Sequence, residues 1–492
     1  MPDLQYWQEK IKERRKTTSW KDFLLTIGSW RPMAFYKNNG HISKYPESER
    51  IQNIVSIQDH AAQRDSMTQY AMDWTGDLFA DLAQLFRTVP IAAVNHFGEN
   101  ENCDYSDVAY NAKNIYLSIV TTRGVENAAY VFNCKDNSAN VFSSINVLEW
   151  SENVYASNYV IQSYNVFLSE NIINSNNIRL STNCIGCTEC IDCDGLENMS
   201  YCIQNTKLDK EEYFFRKQEI LHNKKSLVKK ISNKPLNMGS SNVQWTNLYN
   251  CHDVTNAYSC INVKNARNVA LISSNEENGD FYDVFMGGRS TNFYGVCDAG
   301  GFSDNCYCIT QCATCTSMYY SMFCEGCSFC LGCIGLKNKQ FCILNKQYTK
   351  EERLQKVDEI FARMEQEGTL GQFFPWSMNP FYFNDTAAYL IDQSFTKEQV
   401  TQLWYLRRDE PVKVDIPTST ELVSVSELWQ FESFDSDGNR QIDPSILSKI
   451  IIDDQWNHYR IIRMEYDFLL KHWLPLPRKH RLDRMKENFR LG

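Results

Sequence analysis

Asn165–Asp194 reads NVFLSE NIINSN NIRLST NCIGCT ECIDCD. In the first four of these hexapeptides an asparagine precedes a β-branched or thiol side chain, and a serine or cysteine sits three residues further on. The same phase extends outward in both directions. Every third residue from Val154 gives Ser157, Val160, Ser163, Val166, Ser169, Ile172, Ser175 and Ile178, and then Cys184, Cys187, Cys190 and Cys193. Upstream, Ile115, Ala128, Val141 and Val154 are 13 apart, whereas Val166, Ile178 and Cys190 follow at steps of 12. A step of three matches neither the period of two of a strand nor the 3.6 of a helix. It suits a narrow solenoid whose coils bury together what no single coil could bury. The extra residue in every second hexapeptide implies coils of 12–13 residues with two faces, three-sided coils of 18 being the alternative.

Asparagine recurs just before the large inward residue, at Asn114, Asn127, Asn140, Asn153, Asn165, Asn171, Asn177 and Asn183. Asparagine tolerates the left-handed backbone of a bend. Stacked coils would align its amides into ladders.

A second phased stretch runs through Val254, Ala257, Cys260, Val263, Ala266, Val269 and Ile272, and resumes from Cys306 to Leu336. Between them NEENGDFYDVFMGGRSTNFYG breaks the phase and is expected to bulge as a loop. The run beginning at Cys184 and the run beginning at Cys324 align at a constant offset of 140, the mark of an internal duplication. Each leads into a helix with a capping-box signature, Asp209 with Glu212 and Thr349 with Glu352. Such helices would cover the last coil of a solenoid, which is otherwise an open edge.

All 19 cysteines lie between Cys103 and Cys342. An odd number, confined to one region, fits a secreted disulfide framework poorly. The runs Cys184, Cys187, Cys190, Cys193 and Cys324, Cys327, Cys330, Cys333 invite zinc or iron–sulfur ligation. Each of these thiols, however, occupies a slot held elsewhere by Val, Ile, Ser or Met, which argues for thiols as small core residues. Acyltransfer or carbonic-anhydrase chemistry, familiar on hexapeptide solenoids, needs histidine, and His252 alone lies within the arrays. No triad or carboxylate pair stands out, so no enzyme and no cofactor is expected. Asp435, Asp437 and Asn439 in DSDGNRQID occupy calcium-loop positions, but Arg440 replaces the glycine and Ile446 the bidentate glutamate; a polar turn between two helices is the reading.

Net charge is −10, which advertises no global attraction to nucleic acid. The basic ends, KIKERRK from Lys10 and PRKHRLDRMK from Pro477, read as solvated helix faces that could meet nucleic acid or an acidic partner. MPDLQYWQEKIKERRK has no apolar core of a signal peptide, and no run of about 18 apolar residues announces a membrane span. Phe142, Leu148, Tyr155, Ile161, Phe167, Ile173, Ile185 and Ile191 fall at outward positions. They form an apolar stripe that the aromatic-rich terminal regions are expected to cover.

CIGLKNKQFCILNKQYTKEE, GQFFPWSMNPFYFNDTAAYL and MEYDFLLKHWLPLPRKHRLDRMK resemble uncharacterised Cys/Asn-rich repeat proteins of candidate-phyla bacteria and environmental phages, sometimes mislabelled as CoA-transferase relatives. The resemblance runs from about residue 70 through most of the chain. It implies zinc-ribbon cysteine pairs flanking the repeats, yet His480 stands near where one cysteine belongs and no thiol follows Cys342. The expected fold is mainly β: two tandem β-solenoid arrays (105–232 and 233–372) with capping helices, an N-terminal helical or irregular region (1–104) and a mixed C-terminal region (373–492). The expected role is a scaffold or assembly protein of a reducing cytoplasm that binds other protein subunits, with a phage particle as one setting. A metal- or nucleic-acid-binding accessory protein is the alternative.

Overall fold

The computed structural model describes residues 4–222, 237–261, 263–270, 281–285, 290–291, 294–297, 303–409, 416–417 and 419–488. The protein is mainly β and contains a β-solenoid. It divides into two compact units, each assembled from separated stretches: residues 95–234 with 409–490, and residues 1–94 with 235–408 and the last two residues.

In the first unit, four-residue strands alternate between two faces. Ala139–Phe142, Glu152–Tyr155, Tyr164–Phe167, Asn176–Arg179 and Thr188–Ile191 stack in parallel on one face. Ile145–Leu148, Asn158–Ile161, Glu170–Ile173 and Thr182–Ile185 stack on the other. The register pairs Val141 with Val154, Val154 with Val166, and Val166 with Ile178, so one coil is 12 or 13 residues.

The period of three has a backbone cause. Asn153, Ala156, Tyr159, Gln162, Asn165, Leu168, Asn171, Asn174, Asn177 and Leu180 all have φ between 47° and 60°, each just before an inward residue. A left-handed residue at every third position turns the chain, and only a parallel neighbour above and below makes that affordable for residues such as Leu168. Asparagine holds the corner and links the coils. Nδ2 of Asn102, Asn114, Asn127, Asn140, Asn153 and Asn165 donates to the next amide oxygen up the stack, ending at Asn177, at 2.7–3.2 Å. A second ladder on the opposite face joins Asn133 to Asn146 and Asn171 to Asn183.

The interior is a column of Ala128, Val141, Val154, Val166, Ile178, Cys190 and Cys202, facing Cys134, Val147, Val160, Ile172 and Cys184, all wholly buried. The outward apolar residues form two columns, not one stripe. Phe142, Tyr155, Phe167 and Ile191 join a cluster with Val425, Ile446, Ile451, Tyr466, Phe468 and Leu469 of the C-terminal stretch. Phe468 sits 4.7 Å from Phe142 and about equally far, 6.2 and 6.1 Å, from Tyr155 and Phe167. Alternation of strands between faces sends Leu148, Ile161 and Ile173 to the opposite side, where they too are buried.

In the other unit, Ser241–Tyr249, His252–Ile261 and Lys264–Ala270 stack in parallel. The expected loop is corrected here. Phe281–Phe285 pairs with Ala266–Ala270, Tyr294–Cys297 pairs with Phe281–Phe285, and Tyr307–Thr310 follows. Val269, Val284, Val296 and Ile309 stay in line because the strands that carry them keep their pairing. Ile272 and the remainder of that segment lie outside the described residues. From Asp304 onward the ladder shrinks to single bridges every third residue, as in Tyr307–Tyr319–Leu331–Ile343 and Thr310–Met322–Ile334. The N-terminal stretch supplies aromatic cover: Phe86 stacks on Phe323, Phe79 meets Tyr320, and Trp30 packs among Phe373, Phe374 and Phe381. Among the described residues no helix is long and apolar enough to cross a membrane.

Candidate functional site

The 18 described cysteines are all buried, and the inner geometry explains why thiol and serine interchange. Ser157 Oγ donates to the carbonyl of Tyr155 and accepts from the backbone N–H of Ser169, one coil on. Ser163 and Ser175 repeat this, Ser175 accepting from Cys187 N–H. Cys187 and Cys193 then take the same place: Sγ donates to Ile185 and Ile191, two residues back, and Cys193 Sγ accepts from Asn205 N–H. Cys184 and Cys190 occupy the large slot, in register with Ile172 and Ile178. Cys324, Cys327, Cys330 and Cys333 likewise each donate to the carbonyl two residues back. Burial pushes Cys306 up to about 12 and Cys251 to about 11, so these thiols stay protonated and inert. Among the described residues no group of three or more His, Cys, Asp or Glu side chains is placed to hold a metal ion.

Asp435, Asp437 and Asn439 lie in the turn of an antiparallel hairpin, Glu432–Phe434 with Arg440–Ile442, rather than between helices. Asp435 Oδ1 accepts from the N–H of Asp437 and of Asn439, and Oδ2 from the side chains of Asn439 and Gln441. These bonds, the Asn439 N–H foremost, hold the carboxyl below its ordinary range. The carboxylate closes its own turn.

The basic ends are solvated on one side only, with Lys10, Arg14, Lys16, Arg478 and Lys479 exposed and the other side packed. Ile11 and Arg15 of the first are buried, Arg14 donates to the carbonyls of Gly368 and Leu370, and Lys10 pairs with Glu365. In the C-terminal tail Arg481, Leu482 and Met485 are buried on the helix Arg481–Lys486, Lys479 pairs with Glu487, and Lys486 with Asp483. Arg484 reaches the ladder. It donates to the Ser143 hydroxyl and to Glu465, both at 2.6 Å, and its guanidinium lies 4.8 Å over the Tyr130 ring. Burial would lower its pKa, but the Glu465 carboxylate and the Tyr155 and Tyr130 hydroxyls outweigh this and raise it.

Docking of this helix beside the ladder leaves a cleft of about 400 Å³, lined by Tyr116, Tyr130, His458, Arg460, His480 and Arg481 among others, with no carboxylate among the described residues of its wall. No family model, no curated protein and no solved structure matches the chain. The cleft therefore stands on its own geometry. Burial, then the neighbouring Arg481 and Arg484, pushes His480 down to about 3, so it lines the cleft as a neutral imidazole. The sequence offered one sign of this cleft, a basic tail with Leu482 and Met485 at helical spacing; which ladder residues it would meet was not legible.

Proposed function

We propose that the chain is a non-enzymatic scaffold: two tandem solenoid arrays of duplicated origin, ended by the helices Lys210–His222 and Lys350–Gln366, whose outer faces carry other segments and protein subunits. The observation that carries this reading is the equivalence of Cys187 and Cys193 with Ser157 and Ser163, each donating to the carbonyl two residues back. The residues with the most chemical potential are spent on coil stacking. A reducing cytoplasm suits unbridged thiols used as core residues, and incorporation into a phage particle is the setting that the family resemblance suggests. Support for the capping role comes from Tyr213, which meets Tyr201 of the last strand of its ladder. Thr349 and Glu352 form a reciprocal capping box on the second helix, whereas Asp209 accepts from Glu212 N–H.

The test is elemental analysis of purified chain beside the variant Cys184→Val, Cys187→Ser, Cys190→Val, Cys193→Ser. Metal below stoichiometric amounts, together with a folded variant that loses less than about 2 kcal/mol to repacking, is the expected result. About one zinc or one cluster per run, lost along with folding in the variant, would overturn the reading in favour of a metal-binding protein.

A further inference from the structure

We infer that the cleft between the ladder edge at Tyr116 and the C-terminal helix binds a small anion carrying a flat ring, of the size and chemistry of a nucleoside monophosphate. Its volume, about 400 Å³, lies in the ~300–1,000 Å³ range of small-molecule sites. Among the described residues the wall holds the guanidiniums of Arg460 and Arg481, with Arg484 engaged by Glu465 behind them, two imidazoles and no carboxylate, in a chain whose net charge is −10. The acidic groups nearest behind it are already engaged. Glu465 accepts from Arg484, and Asp453 accepts from the N–H groups of Gln455, Asn457 and His480 and from the Asn457 amide.

Arg460 is exposed and makes no ion pair or hydrogen bond among the described residues, so its planar fork is free for a phosphate or carboxylate. An aromatic ring stands beside the charge. Tyr116 is half-buried, edge-on to Tyr130 at 5.9 Å, and close enough to Arg460 and Arg481 for both to act on its hydroxyl. A half-buried ring beside guanidiniums can receive a flat ring that carries an anion, a contact that an inorganic anion alone cannot make. A polymer strand would need a continuous basic track along the tail, but Lys479 and Lys486 are tied to Glu487 and Asp483, which leaves the exposed Arg478 beside the cleft without a run of cations to follow. A single phosphorylated or carboxylated aryl unit is what the cleft fits.

The experiment is calorimetric titration of the full chain with AMP, GMP, CMP and UMP, beside adenosine and inorganic phosphate. At least one monophosphate should saturate a single site. Adenosine and phosphate should each bind about tenfold or more weaker than AMP, as expected when a charge-assisted pair or a stacked ring is forfeited. Arg460→Gln, at an exposed position, should weaken monophosphate binding about tenfold while leaving the thermal midpoint unchanged. Tyr116→Leu should weaken it too. Absence of saturable binding by all four monophosphates would overturn the inference, as would binding indifferent to both substitutions. Tight binding of an oligo-dT strand without any mononucleotide binding would overturn it in favour of a nucleic-acid surface.

Discussion

At single positions the fold rests on which side chains tolerate a left-handed corner and which can be buried. Gly186 has φ +62°, and a Cβ there would stand 2.4 Å from Asn198 Oδ1 of the next coil; Gly326 repeats this against Asn338 in the other unit. Gly186→Ala should cost about 1–3 kcal/mol for backbone strain and the displaced amide, read as a shifted denaturation midpoint. Val166 is wholly buried in the column between Val154 and Ile178. Val166→Asp places an unpaired charge there and should cost more than about 4 kcal/mol. Asn176→Lys, on the next coil but exposed, should change stability by less than about 0.5 kcal/mol. Equal losses in the two variants would mean that the inward phase is wrong.

Between residue and molecule, the element that matters is the coil, and its cohesion is split between apolar column and polar ladder. An asparagine in mid-ladder gives and receives one amide bond, as Asn140 does between Asn127 and Asn153. Asn140→Ala removes both and leaves a corner that alanine dislikes, which should cost about 1–3 kcal/mol; hydrogen exchange should rise in the adjoining coils before it rises elsewhere. The cysteine runs show why this element was readable in advance. Inward slots accept Val, Ile, Ser or Cys, so the phase survives changes of chemistry, and the eye follows spacing rather than identity. The same tolerance has a limit: Val284 and Val296 keep the step of three from Val269, but Asn275, Asn278 and Gly287 in the slots between hide the phase.

For the whole molecule, stability depends on how separated stretches dock. Phe468 fills the space between Phe142, Tyr155 and Phe167, so Phe468→Ala should cost about 3–5 kcal/mol. Truncation before Asp409 should bare that face and make the chain self-associate, visible by sedimentation. Docking also sets a pH dependence. His472 lies against Phe167 and Phe468, with ring centroids 5.0 and 4.4 Å away. Burial, then Lys471 and Arg179, pushes it down to about 4, as burial, Arg481 and Arg484 push His480 to about 3. Both fall below the unfolded value of about 6.5. On acidification the unfolded chain takes up these protons first, so stability is whole above about pH 6.5 and is lost as pH falls toward 4 and 3. Thermal midpoints measured from pH 7 to 4.5 should therefore decline, and His472→Gln should flatten the decline; an unaltered slope would assign the acid sensitivity to other groups.

What the sequence by itself determined is the coil. Inward phase, coil length, asparagine corners and the capping signature at Thr349 are local or strictly periodic, and each is enforced by the backbone of the residues that display it. What only the tertiary structure decided is where the unrepeated stretches go. The basic tail reads as a solvated helix until Arg484 is seen between Glu465 and Tyr130. The calcium-like loop reads as a polar turn between two helices until Asp435 is seen closing a hairpin with bonds from its own turn. In both, the deciding partner is chosen by packing or by a turn geometry that charge and spacing do not encode. A periodic element carries its neighbours in its own repeat, whereas a cleft such as that beside Tyr116 exists only once two distant stretches meet.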